Sequence, residues 1–250
     1  MKRLLLVLLL MATPASAQSL YAIYASGDYE AAIRAGTNAN NAEGFAIAAR
    51  AAMAQSAETP CLSCLKRAED FARKAIAADP SQADGHVWLA TALGLEGRIT
   101  GIIRARLSNA PQEAKENLDA ALIDDPRDPY ALAAMGGWNI EIVRVGGAFL
   151  ANTLYGARES EGLVLFDRAV AAAPDKVSVR YQIALSLSGY ALERYRARIQ
   201  SELSAALKAA PQTAYEKFIQ GRAAELLALL AKNDPKAFAA KVRAFQGYPD

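Results

Sequence analysis

The sequence predicts an all-α protein in which helical hairpins stack into a solenoid whose central units are extended. Three observations carry this. Hydrophobic residues make up 53% of the chain, many of them alanine, and aromatic residues only 8%, which suits close-packed helices better than sheets rich in β-branched and aromatic side chains. Apolar residues recur at helical spacing through most of the length, the main signal for amphipathic helices. Pro80, Pro126, Pro174 and Pro211 close one segment after another, as a residue with fixed φ and no N–H does at a helix end.

The first segment reads as a leader. Lys2 and Arg3 precede the apolar run Leu4 to Met11, and Ala15-Ser16-Ala17 offers small residues for cleavage, the three-part form of a secretory signal peptide. The apolar run is far short of the roughly 20 residues that span a bilayer. The expected division is therefore a signal peptide over 1–17 and one helical domain over 18–250, with no membrane span in the mature chain and the periplasm as its address.

The mature chain then follows in order. Tyr21 to Gly36 forms the edge of a first hairpin, with Gly27-Asp28-Tyr29 as its turn: glycine breaks, aspartate caps and tyrosine packs back. Asn38 to Asn41 is a polar break, and Phe45 to Met53 is a helix rich in small residues. Thr59-Pro60-Cys61 is a stop, after which Cys64 to Ala78 forms a helix with Ala68, Ala72 and Ala75 on its packing face. Its partner runs from Ala83 to about Leu107, interrupted by Gly101. Ala114, Leu118 and Ala121 lead to Pro126, and Trp138 to Tyr155 is mostly apolar around Gly146-Gly147. Ile199, Leu203 and Ala206 lead to Pro211, Tyr215 to Ala231 is a helix, and Asp234-Pro235 opens a last one. That helix ends near Gly247, and Tyr248-Pro249-Asp250 reads as a frayed end.

Gly162, Phe166, Ala169 and Pro174, followed by Ile183, Ala184 and Leu187, are similar to the small–aromatic–proline rhythm of the tetratricopeptide repeat (TPR). The chain resembles a degenerate TPR protein over roughly residues 20 to 230. Its closing prolines lie 46, 48 and 37 residues apart, against about 34 in a standard unit, so the central repeats carry insertions. Gly136 to Arg144 (GGWNIEIVR) and Leu154 to Ala157 (LYGA) further resemble a group of exported proteobacterial repeat proteins. The resemblance implies a right-handed superhelix whose first helices line a concave groove, and it implies partner binding rather than catalysis. Groove-facing positions would include Tyr130, Gly137, Glu141 and Arg144, then Arg180, Tyr181 and Leu185, then Tyr215, Phe218 and Arg222. Aromatic rings with arginines suit peptide recognition. The same residues would equally serve inter-helix packing, and Glu141 and Arg144, three apart, would neutralise each other.

Charge and chemistry narrow the function classes. The chain has 28 basic and 26 acidic residues, equal numbers once Lys2 and Arg3 leave with the leader, so no basic field draws nucleic acid. His86 is the single histidine, no glycine-rich phosphate loop is present, and no enzyme or cofactor is expected. Cys61 and Cys64 are the only cysteines. In an exported chain they read as a structural disulfide, with redox chemistry and metal binding as the other readings. The leading function is a periplasmic adaptor holding a protein or peptide partner of the cell envelope. The alternative is a binder of a small apolar ligand, enclosed under Trp138 to Tyr155.

Overall fold

The structure, a computed structural model, describes residues 19–249, so the expected leader lies outside the described residues. It is an all-α TPR-like solenoid. Twelve helices are described: α1 (Leu20–Ser26), α2 (Tyr29–Ala39), α3 (Ala42–Glu58), α4 (Leu62–Ala78), α5 (Ala83–Thr100), α6 (Ile102–Leu107), α7 (Ala110–Asp124), α8 (Pro129–Tyr155), α9 (Glu159–Ala172), α10 (Val177–Lys208), α11 (Ala214–Ala231) and α12 (Pro235–Phe245).

Short polar side chains set the starts of many of these. Ser19, Asp28, Asn41, Asp128, Thr213 and Asp234 each accept a hydrogen bond from a first-turn N–H of the helix that follows, satisfying donors that have no partner within the helix. Proline works one residue ahead of itself at the stops. Asp79 and Asp125, which precede Pro80 and Pro126, are extended and end α4 and α7, because the proline ring disfavours helical backbone in the residue before it.

The helices pair as antiparallel hairpins: α3 with α4, α5 with α7, α8 with α9. Alanine allows the close approach, and Ala68, Ala72 and Ala75 of α4 are fully buried. In the α8–α9 hairpin the predicted small–large pairing is realised. Phe166 is fully buried, and a Cβ on Gly136 would stand 2.5 Å from its ring.

Two long elements are not straight. In α8, Gly147 leaves helical geometry at φ 72°, ψ 158°; in α10, Ala191 does so at φ −156°, ψ 77°. Arg180 and Glu202, in the two halves of α10, are 2.8 Å apart, although 22 helical residues would span about 33 Å. The halves of α10 therefore fold back on each other, forming the hairpin expected before Pro211.

The ends of the solenoid meet. Arg222 of α11 donates from Nη2 to the carbonyl of Ala57 near the end of α3 at 2.6 Å, and Gly27 of the α1–α2 turn lies against Ala214 at the start of α11. The C-terminal segment is tied down rather than frayed. The Tyr248 hydroxyl bonds to Glu141 and Arg144, and Gln246 donates to the carbonyl of Leu185 at 3.1 Å. A tyrosine with an apolar body and a carboxylate to bond outweighs the freedom of a chain end.

Candidate functional site

The first helices of successive hairpins converge on Arg50 of α3. Its guanidinium lies 4.7 Å from the ring centre of Tyr24, 5.0 Å from those of Trp88 and Tyr130, and 5.6 Å from that of Tyr21. The rings come from α1, α5 and α8. Nη2 donates to the Tyr130 hydroxyl at 2.9 Å, and among the described residues no carboxylate comes within ion-pair distance of Arg50. Burial works against the Arg50 charge, but the Tyr24 and Tyr130 hydroxyls and the Asp84 carboxylate outweigh it, leaving a firm cation. Burial likewise pushes Asp84 up, with Arg50 opposing.

Two further donors are buried without a hydrogen-bond partner among the described residues: the Trp88 indole N–H beside Arg50, and the Tyr181 hydroxyl near Arg222. Lys176, which precedes α10, has its ammonium 5.9 Å from the Tyr130 ring and is held by Glu216 at 3.3 Å and Gln212 Oε1 at 2.8 Å. Half-buried Tyr215 of α11 is raised by its burial and feels the charges of both Arg222 and Arg50. The surroundings of Arg50 thus gather aromatic rings, a cation without a carboxylate at ion-pair distance and a donor without a partner among the described residues. Such a set can grip an anion, because a guanidinium supplies directed donors and a desolvated cation over rings is held in place.

The predicted residues divide among three places. Tyr130, Tyr181, Tyr215, Phe218 and Arg222 lie on the helices around this centre. Tyr181 and Leu185 are buried there, and Arg222 is held between the rings of Phe218 and Phe245, 4.5 and 4.6 Å away. Arg180 stands apart, donating to the carbonyl of Pro174 and to Glu202, each at 2.8 Å. Glu141 and Arg144 form a separate cluster with Arg98 and Tyr248. Burial would raise Glu141, but the hydrogen bond from Arg144 and the Arg98 charge outweigh it and hold its carboxyl at about 2. Gly137 sits under Ser186, a packing position.

Arg50, Trp88 and Lys176 were not foreseen as site residues. Arg50 did carry a signal, since it is the only charged residue between Glu43 and Glu58 in a helix rich in alanine. A long cation amid small apolar residues is either paired or functional.

Cys61 and Cys64 lie at disulfide distance at the start of α4. His86 is a packed residue, its two ring nitrogens 2.8 Å from Asn117 Oδ1 and 2.9 Å from the carbonyl of Pro80. Trp138 donates to the carbonyl of Pro111 at 2.9 Å and meets Tyr155 edge-on, so both rings of the segment expected to enclose an apolar ligand have protein partners. A cavity of about 320 Å³ lies elsewhere, between α4, α5 and α7, with Lys66, Glu69, Arg73, Glu96 and Glu113 among its lining.

The family model described as regulator of microtubule dynamics protein 1-3 matches residues 17–231. No curated protein matches the chain. Among solved structures, the crystal structure of the APC/C hetero-tetramer Cut9-Hcn1 is similar at 14% identity, covering 82% of this chain and 48% of that chain, with a TM-score of 0.25. The chain spans about half the length of that relative, and the superposition is too loose to bear on the fold.

Proposed function

The chain belongs to the regulator of microtubule dynamics protein 1-3 family, and from that premise we propose that it is a non-catalytic interaction module that holds an acidic stretch of a protein partner against its concave face. The observation that carries this reading is the Arg50 guanidinium among four aromatic rings, with no carboxylate at ion-pair distance among the described residues. Removing such a cation from water without an ion partner costs several kcal/mol, and an anionic partner group would recover part of it. The Trp88 and Tyr181 donors would supply further contacts. The family description speaks of microtubule dynamics, and a face for a protein partner is the part of such a role that this geometry supports.

The site of action under this reading is the cell envelope. Lys2, Arg3, the apolar run and Ala15-Ser16-Ala17 support export, and the family match begins at residue 17, where the leader would end. Among the described residues no helix is long and apolar enough to cross a membrane.

Trp88 provides the readout. Its fluorescence is expected to respond saturably to a short Asp/Glu-rich peptide and not to a Lys/Arg-rich peptide of equal length. Arg50→Gln should weaken the acidic peptide by about tenfold, the loss of one charge-assisted contact. Equal responses to the two peptides, or unchanged affinity in Arg50→Gln, would sink the reading.

A further inference from the structure

Two segments leave the hairpin plan in the same way. Gly101 opens α6 at φ 90°, ψ 157°, and Gly147 opens the last turns of α8 at φ 72°, ψ 158°. Only glycine adopts this region readily, so each insertion is turned off its parent helix by one backbone device. On both tips large apolar side chains face outward, while Ala151 packs inward. Ile103, Leu107 and Phe149 are 78%, 83% and 79% exposed, and they are three of the four large apolar residues more than three-quarters exposed among the described residues. Leu150 and Leu154 are half exposed beside them.

Trp138 links the bases of the two tips. Trp138 bonds to the carbonyl of Pro111, four residues past Leu107, and its ring meets Tyr155, which follows Leu154. Arg98 and Arg144, at the bases of the two tips, are paired with Glu141, whereas Arg104 and Arg106, set between Ile103 and Leu107, are exposed and make no ion pair among the described residues. In a chain with nearly balanced charge, this is a local basic-apolar patch.

We propose that these tips dock on an anionic lipid surface, with Phe149, Ile103 and Leu107 entering the boundary between headgroups and acyl chains while Arg104 and Arg106 meet lipid phosphates. Exposed apolar side chains interleaved with unpaired arginines, as along Ile103 to Leu107, are the composition such a surface selects. A protein face fits less well. Five side chains on two short tips cover well under the roughly 800 Å² per partner of a stable protein interface. The tips lie away from the Arg50 centre, so the contact would hold the scaffold at a membrane while leaving its concave face free.

Vesicle flotation of the purified full chain tests this, with phosphatidylglycerol–phosphatidylethanolamine vesicles against phosphatidylcholine alone. Ile103→Ser/Phe149→Ser and Arg104→Glu/Arg106→Glu are run beside it. All three proteins share the first eighteen residues, so any contribution of the leader cancels. These side chains are exposed, so the melting curves should coincide. The expected result is binding to the anionic vesicles that falls about tenfold in each variant and weakens at high salt. Equal flotation of parent and variants overturns the proposal. So does a salt-independent preference, or a dimer seen by sedimentation velocity that Phe149→Ser dissolves while vesicle binding is absent.

Discussion

Glu96 shares its cleft with Glu69, and burial followed by the Glu69 charge pushes its carboxyl up to about 7. The folded chain therefore holds a proton that the unfolded chain gives up near 4.5. Stability owed to that proton is complete below about 4.5 and is lost as pH rises through about 7. Because the group is partly solvated, the loss is on the order of 1 kcal/mol. Glu96→Gln keeps the neutral shape and should lose less stability across that window, as seen in thermal melts at stepped pH. Parallel curves for the two proteins would remove Glu96 as the cause. The sequence could not show this pair, since Glu69 and Glu96 sit on different helices and meet only when α4 packs on α5. Phe166 was legible for the opposite reason: its partner Gly136 belongs to the same hairpin, so local spacing reports the contact.

Among the elements, start and stop signals were readable because capping and proline sterics act within a few residues of the chain. The break in α5 at Gly101 followed from a glycine inside a helical pattern. The fold-back at Ala191 has no proline or glycine at its own position, and cross-helix pairs secure it: Arg180 with Glu202, Arg194 with Glu159, Arg198 with Asp167. Its place before Pro211 could be read from the repeat rhythm, but its exact residue could not. α4 offers a test of a local constraint. Cys61 and Cys64 close a short loop at its start, and loop-closure entropy makes that bond worth roughly 2 kcal/mol. Reductant should lower the melting temperature by roughly 4–8 °C in a chain of this size, with no effect on Cys61→Ser/Cys64→Ser. A parent protein whose melt ignores reductant would have free thiols in solution.

At the scale of the whole molecule, the fold class was written in local periodicity, whereas the closure of the solenoid was not. Arg222 and Ala57 are separated by 165 residues, and no spacing rule reaches that far. Read alone, Arg222 suggests a free groove residue whose loss would spare the fold. In the structure its guanidinium lies between Phe218 and Phe245 and donates to the Ala57 carbonyl. It joins α11 and α12 to the end of α3, a role that predicts a different phenotype. Arg222→Met keeps most of the aliphatic stem but loses the cation over two rings and a charge-assisted hydrogen bond, together about 2 kcal/mol. Denaturant unfolding should register that loss, and small-angle scattering should register a larger radius as the two ends separate. Hydrogen exchange should rise at the end of α3 and along α11, but not in the α8–α9 hairpin, whose packing is local. If Arg222→Met matched the parent in stability and radius, the ends would not be held together by this contact, and the concave face around Arg50 would be open along its length.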